Sequence, residues 1–335
     1  MSKRRLLITS VAVLALLGAA CGGDNNGAKT TTSRAQQPKF AAGTTMARLQ
    51  AAGRIKVGTK YDQPGFGLRN PTTGKVEGFD VEIAKRVAEH IFGAGGGDKV
   101  EFTEAVSKNR EPYIQNGTVD LVVATYTIND ARKQVVDFAG PYFVAKQDIM
   151  VKKSDTSINS VADLNGKKVC TVSGSTSEKN LRAKAPTASV TLFDTYSKCA
   201  EALTDGRVVA VTTDNTILAG LVQASNDTFK LLERPFSDEP YGIGLKKGDE
   251  AFRSFLNDTL EKIFKNGDWA KAFGATLGKL GLKAPQPPAL DRYAASATAT
   301  STAAGGTSAT TDSGGTASTT PASTSTTVAS STTAS

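Results

Sequence analysis

The chain has 335 residues, and its 40 lysine and arginine residues against 32 aspartate and glutamate residues give a formal net charge of +8 at pH 7. Acidic and basic residues are interspersed, and no basic run alternates with aromatic residues, so the composition does not favour a nucleic-acid-binding protein. The sole histidine, His90, ends a predicted helix, so neither a histidine-based metal site nor a Ser–His triad is expected. We expect no metal and no cofactor.

The N-terminus predicts export. A basic stretch at 3–5 precedes a short apolar run at 6–17, small residues and Cys21. The run is shorter than the about 20 apolar residues that span a bilayer, and this order of features is typical of a signal peptide. Residues 1–20 are predicted to be a lipoprotein signal peptide, Cys21 the lipidated residue that anchors the chain outside the cell membrane, and 21–46 a tether. Ordinary cleavage nearby, which leaves Cys21 free or removes it, is the alternative.

The C-terminus predicts a disordered tail. Residues 294–335 consist almost entirely of alanine, serine, threonine and glycine. Such a segment buries too little apolar surface to offset its ordering entropy. It is interpreted as a solubilising tail, with an O-glycosylated stalk as the alternative. Removing both ends leaves enough chain for one large domain or two lobes.

Between the termini, strand-like runs alternate with amphipathic helices in two blocks. In the first block we predict strands at 55–59, 100–102 and 121–124, helices at 80–92 and 111–116, and a flexible loop at 93–99. In the second we predict strands at 167–172, 189–193, 208–211 and 229–232, and helices at 175–184, 197–203 and 217–224. Helices at 252–264 and 269–277 close the fold. The alternation predicts parallel α/β sheets.

Two extended segments, 142–150 and 233–245, are interpreted as crossings between the blocks. Two crossings predict that the chain leaves lobe 1, builds lobe 2 and returns. Lobe 1 then comprises 47–143 plus 242–290, and lobe 2 comprises 148–235. We expect a ligand cleft between the lobes, where α/β proteins usually bind ligands.

Three cysteines are present. If Cys21 is lipidated, Cys170 and Cys199 remain as an even pair in an oxidising compartment, and we predict a disulfide between them. Two separate buried thiols are the alternative.

One stretch, ATYTINDARKQVVDFAGPYF at 124–143, carries carboxylate-binding chemistry. It places Thr125 and Thr127 at a strand end and Arg132 in the helical turn that follows. Two hydroxyls and a guanidinium near exposed N–H groups at a helix start favour a carboxylate ligand.

The same stretch resembles the signature of the polar amino acid solute-binding family (family 3) of ABC transporters. GKVEGFDVEIAKRVA at 74–88 and SVADLNGKKVCTVSGSTSEKNL at 160–181 support the resemblance, which covers 54–274. It implies a type II periplasmic-binding-protein-like α/β fold with two lobes, two crossing hinge segments and a cleft between the lobes. It further implies a monomeric, non-enzymatic binding protein that passes an amino acid to an ABC permease in the membrane.

The resemblance assigns the backbone groups of the ligand. Arg132, Thr127 and Thr125 would hold the α-carboxylate, and Asp214 would hold the α-ammonium. Ser175 and Thr176 would close over the ligand from lobe 2.

Each assignment has an alternative. Arg132 would otherwise pair with Asp130 or Asp137 at the surface, and Asp214 or Ser175 would otherwise cap a helix.

For the ligand side chain, VSKNREPYI at 106–114 resembles the version found in dicarboxylic amino acid binders, the glutamate/aspartate-binding lipoproteins. Ser107 and Arg110 would reach the distal group, together with Lys60. Two cations facing one pocket leave a neutral ligand with uncompensated buried charge, so glutamate or aspartate is predicted over glutamine or another polar amino acid. The alternative is that Arg110 pairs with a neighbouring glutamate and Lys60 is solvated.

Two other functions use the same fold. One is an amino acid sensor that feeds a membrane signalling partner, which gene neighbours would distinguish from a transporter component. The other is a dehydratase on ring acids, which turnover of prephenate or arogenate would reveal. Beyond Asp214 the motif positions offer hydroxyls and cations rather than a general acid, which disfavours the enzyme.

Overall fold

The structure is a computed structural model that describes residues 38–293. The predicted signal peptide, the lipidated Cys21, most of the tether and the tail at 294–335 lie outside the described residues. None of the helices within 38–293 combines the length and apolar character needed to cross a membrane.

Twelve strands and nine α-helices are named here in chain order within that range. The strands are β1 Ile55–Thr59, β2 Asp62–Gln63, β3 Gly67–Arg69, β4 Val76–Glu77, β5 Val100–Glu104, β6 Leu121–Val122, β7 Asp137–Lys152, β8 Lys168–Val172, β9 Ser189–Phe193, β10 Ala210–Asp214, β11 Phe229–Leu231 and β12 Ser237–Leu245. The helices are α1 Thr45–Ala52, α2 Phe79–Phe92, α3 Arg110–Gln115, α4 Asp130–Lys133, α5 Thr176–Lys184, α6 Tyr196–Thr204, α7 Asn215–Ala224, α8 Glu250–Lys265 and α9 Asp268–Ala275.

One nine-stranded sheet runs through both lobes in the order β5-β1-β6-β12-β7-β10-β8-β9, with β11 paired to β7. Strands β5, β1 and β6 are parallel in lobe 1, and β10, β8 and β9 are parallel in lobe 2. The two central strands, β12 and β7, are antiparallel to each other and connect the lobes. This topology confirms the predicted two-lobe α/β fold with two crossing segments.

The hinge strand β7 is longer than the predicted crossing, whereas β12 is shorter than the predicted crossing at 233–245. Strand β7 spans 16 residues and begins at Asp137, five residues before the predicted crossing at 142–150. Nearly every residue of β7 is buried, because helices from both lobes pack on it. Both faces of the strand are buried along most of its length, so its sequence has no clear period of two and did not indicate where the strand begins.

An aromatic cluster fills the core of lobe 1 and extends to the hinge. The ring of Phe66 packs edge-on against Phe79, Phe143 and Tyr241. Tyr241 lies on β12, so the packing of lobe 1 fixes a hinge residue that also reaches the crevice.

The packed chain begins before the predicted boundary between tether and lobe at 46/47. The Phe40 ring contacts Phe255 with centroids 5.3 Å apart, and α1 begins at Thr45. The tether prediction for 21–46 is therefore too long at its C-terminal end. The glycine-rich segment at 93–99 is also more ordered than expected, because Gly96–Lys99 forms a short 3-10 helix.

The predicted disulfide joins Cys170 on β8 to Cys199 on α6, with the Cα atoms 5.5 Å apart. Both residues are fully buried within lobe 2. The bond links the sheet of lobe 2 to the helix that covers it. The alternative of two separate buried thiols is therefore wrong.

Replacing both cysteines by alanine is expected to lower the free energy of unfolding by about 3–4 kcal/mol, because the bond closes a loop of 29 residues in the unfolded chain. Urea denaturation followed by circular dichroism measures the change. Ligand affinity should stay within about twofold of the wild type, since neither cysteine lines the crevice. An unchanged unfolding midpoint would contradict the prediction.

Candidate functional site

A narrow cavity of about 10 Å³, close to the size of one water molecule, lies between the lobes. Lobe 1 lines it with Ser107, Arg110 and Thr125. Lobe 2 lines it with Ser175, Thr176, Ser177, Tyr196, Thr213, Asp214 and Ile217. The lining is almost entirely polar, so the cavity is suited to a small polar or charged molecule rather than to an apolar one.

The lobes touch at both sides of the crevice, which shows that the conformation is closed. A Cβ added to Gly174 of lobe 2 would lie 2.9 Å from Lys108 Cα of lobe 1. A Cβ added to Gly220 on α7 would lie 2.6 Å from the carbonyl oxygen of Pro64. Glycine at these two positions lets the backbones of the lobes approach this closely.

Asp62 strengthens the same contact. Its carboxylate accepts a hydrogen bond from the backbone N–H of Tyr196 at 2.7 Å, across the crevice at the start of α6. A carboxylate at the positive end of a helix is favourable, so Asp62 of lobe 1 stabilises closure on lobe 2.

Arg110 lies at the start of α3 and is 2% exposed. Its Nη1 donates to the carbonyl oxygens of Ala124 at 3.1 Å and Thr125 at 3.2 Å, and its guanidinium lies 4.3 Å above the Tyr126 ring. It forms no ion pair with any residue in 38–293, so the alternative in which a neighbouring glutamate neutralises it is wrong. Arg110 therefore brings a positive charge to the cavity that has no direct ion-pair partner among the described residues.

Lys60 follows β1 and is 3% exposed, so the alternative of a solvated lysine is also wrong. Its Nζ donates to Ser107 Oγ at 2.9 Å. Burial, followed by the positive charge of Arg110, lowers the pKa of Lys60 to about 7. The two cations thus lie on the same side of the crevice, where Lys60 contacts the cavity residue Ser107 without lining the cavity itself, and the ammonium form of Lys60 is disfavoured there.

Asp214 lies at the opposite side, at the end of β10 and directly before α7. Its Oδ2 accepts a hydrogen bond from the hydroxyl of Tyr241, and its Oδ1 has no partner among the described residues. Burial, followed by the negative charge of Glu239, raises the pKa of Asp214 to about 7. It makes no capping hydrogen bond to α7, so it is not merely a helix cap. A cationic donor would satisfy Oδ1.

The contacts of Arg132 match neither the predicted grip on a ligand carboxylate nor the alternative of a surface ion pair. Its Nη1 donates to the Thr127 carbonyl at 2.7 Å, its Nη2 to the Gly174 carbonyl of lobe 2 at 3.3 Å, and its Nε to Glu111 at 3.1 Å. Neither Asp130 nor Asp137 is its partner. The guanidinium lies at the edge of the crevice, where it bridges the lobes, and it does not line the cavity in this closed form.

The threonines also make contacts that the sequence did not indicate. Thr127 Oγ1 and Thr176 Oγ1 each donate to Glu239 Oε2 at 2.7 Å. Thr125 has φ 44°, an unusual value for a β-branched residue, and its hydroxyl lies 3.0 Å from Gln63 Oε1. The three hydroxyls therefore lie at the crevice, but each is held by protein acceptors.

Ser175 matches its alternative interpretation. Its hydroxyl caps α5 by accepting from Glu178 N at 3.0 Å and donates to the Val172 carbonyl at 2.7 Å. Both roles of the hydroxyl are used here, although Ser175 lines the cavity, so its closure over a ligand stays a prediction. Ser175 fixes the N-terminus of α5, whose first turn faces the cavity through Thr176 and Ser177.

Asp80 is a positioning residue that sequence reasoning missed. Its carboxylate accepts from Thr125 N at 2.8 Å and from the Tyr142 hydroxyl at 2.7 Å, and it holds Thr125 in its strained conformation. Burial raises the pKa of Asp80 to about 6. A signal was available, because an acidic residue lies between Phe79 and Val81 at the buried start of α2.

The described residues contain no group of three or more histidine, cysteine, aspartate or glutamate side chains placed to hold a metal ion. The crevice instead offers two cations, two carboxylates and several hydroxyls. This set can bind a small molecule that carries both positive and negative charges.

Comparison with known proteins agrees with that chemistry. Residues 55–277 match the profile of the bacterial extracellular solute-binding proteins, family 3. The chain is 42% identical over 268 residues to the ABC transporter glutamine-binding protein GlnH of Bacillus subtilis, covering 80% of this chain and 93% of GlnH. It is 42% identical over 235 residues to the glutamate-binding protein GluB of Corynebacterium glutamicum, covering 68% of this chain and 79% of GluB.

A solved structure shows the same architecture. An ancestral arginine-binding protein bound to glutamine superposes with a TM-score of 0.63 and 40% sequence identity, covering 68% of this chain and 98% of that chain.

Replacing Asp214 by asparagine is expected to stabilise the ligand-free protein above pH 7 while abolishing amino acid binding. Because the pKa of Asp214 rises from 3.8 to about 7 on folding, the wild-type free energy of unfolding falls as the pH rises between those values. The asparagine side chain of the variant carries no charge, so the melting temperature of Asp214→Asn should exceed that of the wild type by an amount that grows from pH 5 to pH 8.

Differential scanning fluorimetry across this pH range measures the effect, and calorimetry measures binding. Asp148→Asn, which changes a buried carboxyl outside the cavity lining, is the matched control and should retain binding. A melting-temperature difference that shrinks with rising pH would contradict the assignment.

Proposed function

Because the chain belongs to family 3 of the bacterial extracellular solute-binding proteins, we propose that it captures an acidic amino acid, glutamate or aspartate, and delivers it to an ABC permease. A lipid anchor at Cys21 stays a prediction, as does the monomeric state. The relatives named above are a glutamine-binding and a glutamate-binding protein, so the family membership alone leaves the ligand open.

The observation that carries the choice of an acidic ligand is the buried pair Lys60 and Arg110. The Lys60 ammonium is 2.9 Å from Ser107, Arg110 lines the cavity, and neither cation pairs with a carboxylate among residues 38–293. Burying two like charges is unfavourable, and a neutral amide would leave them uncompensated. A distal carboxylate offsets both charges and accepts hydrogen bonds from Lys60, Ser107 and Arg110.

The α-ammonium of the ligand is assigned to Asp214. Its Oδ1 is buried and has no hydrogen-bond partner in the described chain, and burial, followed by the negative charge of Glu239, raises its pKa to about 7. An ammonium group supplies the missing donor and positive charge.

The α-carboxylate is assigned to Arg132, with Thr127 and Thr125 as hydroxyl donors and Thr176 closing from lobe 2. When the lobes open, the Gly174 carbonyl leaves with lobe 2 and the Nη2 group of Arg132 becomes available. The ligand carboxylate then takes the place of the Gly174 carbonyl. Because the carboxylate is charged and the carbonyl is neutral, the hydrogen bond from Arg132 becomes stronger.

Isothermal titration calorimetry with glutamate, aspartate and glutamine tests the proposal. Lys60→Met keeps the length of the side chain and removes its charge, so it should weaken glutamate binding at least about tenfold more than glutamine binding. The matched control, Lys56→Met, removes a positive charge from β1 outside the cavity lining and should leave both affinities unchanged.

Equal losses for glutamate and glutamine in Lys60→Met would refute the acidic ligand. Turnover of prephenate or arogenate by the purified protein would show that the crevice is instead a catalytic site.

Proton exchange on binding gives an independent prediction. The pKa of Lys60 is about 7 and that of Asp214 is about 7. A bound distal carboxylate raises the pKa of Lys60 and causes proton uptake at pH 7.5, whereas a bound α-ammonium lowers the pKa of Asp214 and causes proton release. Glutamate and glutamine both carry the α-ammonium, so proton release from Asp214 should be the same for the two ligands. Only glutamate carries the distal carboxylate that acts on Lys60. The net number of protons taken up on binding should therefore be larger for glutamate than for glutamine.

Calorimetry in two buffers with different ionisation enthalpies measures these proton numbers. The difference between the two ligands should disappear in Lys60→Met. Glutamate affinity should also fall relative to glutamine affinity as the pH rises above 7, because neutral Lys60 then prevails; a pH-independent ratio would contradict this linkage.

A further inference from the structure

Glu239 is a buried carboxylate on the hinge strand β12, 1% exposed, and its side chain accepts four hydrogen bonds. Its Oε2 accepts from the hydroxyls of Thr127 and Thr176, each at 2.7 Å. Its Oε1 accepts from Asn180 Nδ2 at 3.0 Å and from Ser237 Oγ at 2.8 Å. All four donors are side chains, and none is an ordinary ladder contact of the strand.

The donors belong to different parts of the molecule. Thr127 belongs to lobe 1, and its segment is fixed to the hinge because Ile128 N donates to the Pro240 carbonyl at 2.7 Å. Thr176 and Asn180 lie on α5 of lobe 2. Opening the crevice moves α5 away from lobe 1, so the contacts of Glu239 with α5 hold the lobes together.

The hydroxyl protons decide what these threonines can bind. A hydroxyl has one proton to donate, and an ionised carboxylate only accepts. While Glu239 Oε2 takes both protons, neither Thr127 nor Thr176 can donate to a ligand. The two Oγ1 atoms are 3.4 Å apart, so a single carboxylate oxygen lies between a lobe 1 donor and a lobe 2 donor.

We propose that Glu239 is a hinge latch that holds the crevice closed through Thr127 and Thr176. The ligand's own α-carboxylate takes over these hydroxyls when it binds, a step that rests on the proposed function. Glu239 is thus a positioning residue, since it acts through the two threonines.

The latch sets the rate at which ligand enters. The charged residues that line the closed cavity, Arg110 and Asp214, are 2% and 4% exposed, so a ligand reaches them only after the lobes separate. Separation requires the hydrogen bonds from α5 to Glu239 to break. The latch therefore slows association, whatever amino acid binds.

Glu239→Ala removes the latch and tests this. Small-angle X-ray scattering of the unliganded variant should give a larger radius of gyration than the wild type, and saturating glutamate should bring it back. Stopped-flow fluorescence should show an association rate about tenfold higher than that of the wild type, the effect of losing about one charge-assisted hydrogen bond.

Two further variants separate the latch from a general loss of structure. Asn180→Ala removes one contact of Glu239 with α5 outside the cavity lining, and should raise the association rate in the same direction by a smaller factor. Glu239→Gln keeps an acceptor oxygen between the threonines and should give a rate between those of the wild type and Glu239→Ala. Asp238→Ala, on the same strand but solvent-facing, should change neither quantity.

An unliganded Glu239→Ala as compact as the wild type, or an association rate that is unchanged or lower in both Glu239→Ala and Asn180→Ala, would overturn the proposal. The scattering comparison uses no ligand, so it tests the latch even if no amino acid binds and the proposed function fails.

Discussion

The central constraint on this molecule is the burial of like charges at both ends of one crevice. Lys60 and Arg110 lie together on the lobe 1 side, and the pKa of Lys60 falls to about 7 because its charge is desolvated beside another cation. Asp214 and Glu239 lie near each other on the other side, and the pKa of Asp214 rises to about 7 because its charge is desolvated beside another carboxylate. Burial beside a like charge is unfavourable for Lys60 and for Asp214, and under the proposed function a ligand with matching charges relieves both at once.

The fold supplies this arrangement by bringing strand ends together. Lys60 follows β1 and Asp214 ends β10, and both strands belong to one sheet whose centre is formed by the hinge strands β12 and β7. Tyr241 of β12 packs in the aromatic core of lobe 1 and donates to Asp214 of lobe 2. The rigid core of one lobe therefore orients the acid of the other, which makes the site sensitive to hinge geometry.

The bounds of several helices and strands were predictable from the local pattern of apolar residues. The periodicity of 80–92 indicated α2 within one residue, because one face of that helix is buried. The segment IKVGT matched β1 at both ends. The two-residue strands β2 and β4 were missed, since they are too short to show alternation. Helix α1 was missed because Thr45 follows a polar segment that resembles a tether.

The site was predictable in composition but not in contacts. Motif resemblance pointed to Arg110 and Asp214, which both line the cavity, because strand ends and helix starts fix where those side chains begin. It did not indicate that Arg132 donates to Gly174 across the crevice. Contacts between lobes depend on how far the molecule closes, and that distance is not encoded in the periodicity of either lobe.

The similarity to known proteins does not identify the ligand, so the buried charges of the crevice are the main evidence for ligand choice. The chain is 42% identical to a glutamine-binding protein and 42% identical to a glutamate-binding protein, so overall identity does not separate the two ligands. Glutamate and glutamine have nearly the same shape and differ in one terminal group, an oxygen with negative charge or a neutral NH₂. Packing cannot distinguish such isosteres well, whereas uncompensated buried charge can. Under the proposed function, ligand choice therefore depends on the protonation of Lys60, a property that neither the cores of the lobes nor their shared fold determines.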